Sequence, residues 1–181
     1  MWGQTGEAMA GVWKFISEEA DTISLHDHCI SQAEEDGTDL ILRFDDDGFD
    51  VTKDNSLNPT GRHRNTGPAA IVLKNWRWGE GSFGPYCFQV IPLDNGRKEY
   101  VPLPIVPITR AQFLHELTLE VLNFTWEPEQ SLLTLEGDGR ITPPPPGSET
   151  GFLEIKLFGE QMLFCWDDLP RDAWFQDWPR K

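Results

Sequence analysis

Apolar side chains recur at every second position in run after run of this chain, and each run stops after a few residues at turn-forming ones. Leu153, Ile155 and Leu157 alternate with Glu154 and Lys156, and Leu40, Leu42 and Phe44 alternate with Asp39, Ile41 and Arg43. A strand points successive side chains to opposite faces, so this period marks half-buried β-strands. Gly159-Glu160 and Glu35-Asp36-Gly37-Thr38 supply the turns that fold such runs into hairpins. The chain lacks the long helices alternating with strands that a doubly wound nucleotide-binding fold requires, and it has no glycine-rich phosphate loop.

Further strands are expected at Phe49–Val51, Ala70–Trp78, Tyr86–Leu93 and Leu132–Glu136, with Gly79–Gly84 separating the second from the third. The prolines at 102, 104 and 107 each remove a ladder donor, which makes Val101–Pro107 an extended connector or edge segment. The stretch Lys53–Gly67 is too polar for anything but a loop, and Pro143–Pro146 belongs to another. Two short helices are predicted. One spans Glu7–Glu19, where Ala8, Val12, Phe15 and Ile16 share a side. The other starts at a capping box of Thr109 and Gln112, stapled by Ile108 and Phe113, and gives way to period two from Leu117 through Trp126. The aromatic tail of Trp174, Phe175 and Trp178 is expected to dock on the body. The fold class is therefore α+β and mainly antiparallel β, a sandwich or strongly curved sheet with two short helices, with residues 1–181 forming one domain.

Charge restricts the partners. Thirty acidic and fifteen basic residues give −15 at pH 7, a field that repels phosphate backbones and anionic membranes and attracts basic proteins. Neither a signal peptide nor an apolar span is evident, and three dispersed cysteines with no CxxC pair read as free thiols. A bacterial-type cytoplasmic protein fits these features.

Few residues point to chemistry. His26-Asp27-His28-Cys29 contains a His-x-His pair, which on a strand would direct both imidazoles to one face, so His26 and His28 are the metal candidates; the structural alternative is that His26 or Asp27 bonds backbone. Two ligands do not make a site, and no metal or other cofactor is assigned. Asp45, Asp47, Gly48 and Asp54 imitate a calcium loop, but Arg43 stands at the first ligand position. Asp45, Asp46, Asp47 and Asp50 read instead as one patch of negative potential and as the candidate partner-binding residues, with the Arg62–Gly67 loop beside them. No nucleophile stands in a recognisable setting, and no catalytic residue is nominated.

The order of a leading helix, Leu25-His26-Asp27-His28-Cys29-Ile30, a hairpin ending in Phe44–Phe49, and later a short helix followed by Trp126-Glu127 resembles small uncharacterised bacterial proteins with an "LHDC-I" opening, here interrupted by His28. Acidic β-rich chains of this kind are also similar to polymorphic-toxin immunity proteins. That resemblance implies inhibition of a basic toxin by an acidic, aromatic-containing surface. The alternatives are a small-molecule-binding or enzymatic β domain with a pocket lined by Trp76, Trp78, Trp126 or Trp166, and a structural or assembly subunit.

Overall fold

The computed structural model describes residues 13–179. Its strands are β1 (Phe15–Ser17), β2 (Ile23–Ser24), β3 (His28–Asp36), β4 (Asp39–Phe44), β5 (Asp50–Val51), β6 (Arg64–Asn65), β7 (Ala69–Lys74) and β8 (Arg77–Pro85). After them come β9 (Phe88–Pro92), β10 (Lys98–Pro102), β11 (Val106–Pro107), helix α1 (Arg110–Phe113), β12 (Thr118–Glu127), β13 (Leu132–Arg140), β14 (Gly151–Phe158), β15 (Gln161–Trp166) and β16 (Arg171–Asp172). Ten strands form one sheet in the order β1-β15-β7-β4-β3-β12-β13-β14-β8-β11. A small sheet, β16-β6-β5-β2, and the separate hairpin β9-β10 complete the fold, and every pairing is antiparallel.

The large sheet is strongly curved. β15 and β12 stand four strand steps apart, about 19 Å if the sheet were flat, yet the Phe124 and Phe164 rings are 6.1 Å apart. The concave face encloses the core, where Leu42, Ile71, Phe164 and Trp166 from one half meet Leu119, Leu133, Ile155 and Leu157 from the other. Phe49, at the entry to β5, stands edge-on to Phe44, Phe164 and Trp166 at 5.4–6.1 Å. Phe113 of α1 lies against Trp76 and Trp78. On the opposite face of β4, β7 and β15, a second cluster of Ile41, Ala70, Val72, Leu163 and Cys165 lies under Trp13 and Ile16. Coverage on both faces explains why Ala69–Leu73 is apolar at every position.

Bulges and close backbone approaches produce the bend. The register slips between Val121 and Asn123, between Ile30 and Gln32, and between Lys156 and Leu157, and each slip adds local twist. The first slip also keeps Leu119 and Val121 on the same face as Phe124 and Trp126, which strict alternation would not allow. A Cβ on Gly137 would lie 1.9 Å from the Glu120 carbonyl oxygen, and one on Gly139 would lie 2.0 Å from that of Thr118. Only glycine lets β12 and β13 coil this closely.

The capping box forms as predicted. Thr109 accepts from the Gln112 N–H at 3.1 Å, Gln112 returns a bond to the Thr109 N–H at 2.9 Å, and Ile108 and Phe113 are buried. Four expectations are corrected. Gly159-Glu160 joins β14 to β15 without making a hairpin: β14 pairs with β13 and β8, β15 pairs with β7 and β1, and the linking residues bond Ser131 and Lys74 instead. Of the predicted helix 7–19, residues 7–12 lie outside the described residues, and Phe15–Ser17 is a strand whose Phe15 stacks on Trp166 while Ile16 covers the opposite face. The expected strand 70–78 is broken at Asn75, a left-handed residue (φ 48°) held by Asp39. The glycine-rich separator 79–84 lies within strand β8, because small residues suit the crowded face against β14.

Candidate protein-binding surface

The histidine pair is divided between two tasks. His26 precedes β3 and its Nδ1 bonds the Leu122 carbonyl at 2.8 Å, while the Asp27 N–H donates to the Val121 carbonyl at 2.9 Å. These contacts serve the backbone at the β12 bulge, which supports the structural reading of the pair. His28 points into the protein, with its Nε2 3.0 Å from Asp50 Oδ2. Asp50 Oδ1 accepts from Asn65 Nδ2 at 3.0 Å, and Asn65 Oδ1 accepts from the Gly67 N–H and from Arg171 Nε, both at 3.0 Å. This polar chain ties β3, β5, β6 and β16 together. Among the described residues, no group of three or more His, Cys, Asp or Glu is placed to hold a metal ion.

Asp50 is fully buried, so its assignment to the exposed acidic patch is corrected: it serves His28 and Asn65 instead. Asp45, Asp46 and Asp47 are exposed on the turn, where Asp45 accepts from the Asp47 N–H and Asp47 pairs with Arg171. In the neighbouring loop, Arg62 and Arg64 both pair with Asp172. The cleft at this point, lined by Asp27, His28, Asp47, Asn65, Arg171 and Trp174, holds about 260 Å³. That is small for a ligand pocket, and its polar groups bond one another. Trp166 and Trp76 belong to the core, and Trp78 and Trp126 pack against it. The aromatic tail docks only in part: Trp174 lies beside His26 and Phe175 beside His63, but Trp174 is 46% exposed and Trp178, edge-on to Trp174, is 65% exposed.

The outward face of β12-β13-β14-β8 has a different character. Alternation turns Glu120, Glu136, Asp138, Glu154 and Glu80 away from the core, and the registry sets Glu120 opposite Asp138 and Glu136 opposite Glu154. Like charges facing each other across strands cost stability. The internal relief is small. Lys156 pairs with Glu80 at 2.8 Å and reaches Glu154 at 3.6 Å, and Asn123 donates to Glu136. Tyr86 donates its hydroxyl to Asp138; burial, and then this bond and the carboxylate charge, push its phenol up to about 12.

At the edge of this face projects the arm formed by β9 and β10. The registry sets Phe88, Val90 and Pro92 opposite Pro102, Tyr100 and Lys98 on one side of the arm, and Gln89 and Ile91 opposite Val101 and Glu99 on the other. No strand pairs with either outer edge of the arm among the described residues. Phe88 is 60% exposed, Tyr100 64% and Ile105, at the arm's base, 72%. The Ile105 side chain lies beside Gly84, whose partner in register on β14 is the 38% exposed Phe152, so exposed apolar side chains flank the base of the arm on the sheet as well. Exposed apolar residues gathered in this way mark interaction surfaces more often than chance exposure does. From Tyr86 to Ile105, Asp94 and Glu99 balance Arg97 and Lys98, so the rest of the chain carries the whole net charge of −15.

The arm was missed at the sequence level. Its alternation is ordinary for a strand, and only the fold shows that neither face is covered. Comparison of the chain with protein-family models, with curated proteins and with solved structures found no match.

Proposed function

We propose that the protein is a protein-binding domain, immunity-like in action, that covers a basic toxin or effector and blocks it sterically. The observation that carries this reading is the outward sheet face, where Glu120 opposes Asp138 and Glu136 opposes Glu154. These contacts weaken the isolated fold, and a cationic partner would turn each of them into an attraction. Aromatic residues at the border supply apolar contact, and the acidic field raises the rate of encounter.

Binding to purified basic proteins encoded beside its gene tests the proposal by titration calorimetry at several salt concentrations. Affinity is expected to fall on the order of tenfold or more between 50 and 300 mM salt, as screening shortens the reach of the field. Replacing Glu136→Gln together with Glu154→Gln should weaken binding further. Salt-independent binding, or no binding to any basic neighbour, would overturn the proposal.

A further inference from the structure

We infer that the β9-β10 arm is where such a partner is gripped: a cationic protein lays an extended segment, basic and apolar by turns, along an open edge of the arm and across the Phe88–Val90–Tyr100 face. The inference rests on the function proposed above and identifies the anchor and the chemistry of the segment.

Three observations single out this occupant. Both edges of the arm are open. The bonds Leu93 to Arg97 and Leu103 to Cys87 fix which backbone groups face inward, so Phe88 and Val90 of β9 and Lys98 and Tyr100 of β10 turn their N–H groups outward, each set ending at a proline, Pro92 or Pro102. A strand added at either edge would present alternate side chains to the apolar face, the usual geometry of strand addition. Size argues against a second copy held by the arm alone. Five residues on each of two strands make a face of roughly 17 by 10 Å, far below the ~800 Å² per partner of a stable interface. A larger contact must take in the adjoining sheet, and there charge decides. That sheet presents Glu120, Glu136, Asp138 and Glu154, which would repel the same face of another copy and attract a cationic surface.

A heptapeptide of alternating lysine and leucine provides a defined probe. It should bind the wild-type chain at low salt, bind at least tenfold more weakly to Phe88→Ser/Tyr100→Ser, and weaken separately with Glu136→Gln/Glu154→Gln. Both arm side chains are exposed, so the arm variant should melt at the wild-type temperature, which separates lost contact from lost fold. Equal binding by the arm variant overturns the inference, as does equal binding of a glutamate–leucine heptapeptide. A dimer seen by light scattering and abolished in the arm variant also overturns it, because a second copy would then occupy the face. Failure of the peptide to bind overturns the anchor, while titration with whole basic proteins tests the broader function by itself.

Discussion

Asp50 shows how much one side chain can hold in place. It is enclosed, and its two oxygens serve His28 on one side and Asn65 on the other. Asp50→Ala would leave His28 buried without its partner and take from Asn65 one acceptor, its bond to the Asp47 carbonyl remaining. The substitution should cost about 2–4 kcal/mol, read as a lower urea midpoint at unchanged slope. Tyr86 offers a gentler probe. Its phenol, pushed up to about 12, has a folded pKa above the ordinary value of 10. Its contribution to stability is therefore complete below pH 10 and is lost as pH rises toward 12. Absorbance titration should show one late-ionising phenolate, and Asp138→Asn should move it back toward 10. The thiols should also separate. Burial, with Asp45 and Glu120 nearby, raises Cys29, and burial and Asp167 push the enclosed Cys165 up to about 12. A thiol reagent at pH 8 is expected to reach Cys165 only after unfolding.

At the scale of elements, the bend between β12 and β13 depends on backbone proximity. Gly137→Ala would drive a methyl group into the Glu120 carbonyl and should destabilise by about 3 kcal/mol or more, measurable by chemical denaturation. Such closeness has no sequence signal beyond the glycines themselves, and for that reason β8 reads as a turn from sequence. Hairpin β3-β4 was legible because alternation and turn residues agree, and α1 because its cap and staple are local. Strands β14 and β15 were legible too, but not their partners, because alternation and a turn do not say which strand each one pairs with. The small sheet β16-β6-β5-β2 was not legible. Its strands are two residues long and are held by His28, Asp50, Asn65 and Arg171, which come from four distant parts of the chain. The candidate surface was not singled out from sequence, where Asp45, Asp46, Asp47 and Asp50 were the partner-binding candidates. Glu136, Asp138 and Glu154 fall at polar positions of recognisable strands, but their opposition depends on register, and the bareness of the arm depends on what fails to cover it.

For the whole molecule, acidity acts against the fold as well as for encounter. Glu136→Gln with Glu154→Gln should raise the melting temperature at low salt by the equivalent of about 0.2–1 kcal/mol, and the gain should shrink as salt screens the charges. A variant that is more stable and binds less well would be the mark of a surface kept for association at the expense of the isolated chain. Among the described residues, no helix is long and apolar enough to cross a membrane.

The edge of the large sheet joins segments far apart in sequence: Phe15 is in register with Trp166, and Ser17 with Phe164. Strand β1 thus waits for a partner made long after it. Because closing so long a loop costs entropy before any contact rewards it, folding should be slow, in the millisecond-to-second range. On the ribosome, Phe15 and Ile16 stay exposed until β15 emerges, so a chain stalled before residue 161 would carry an unpaired apolar edge open to aggregation.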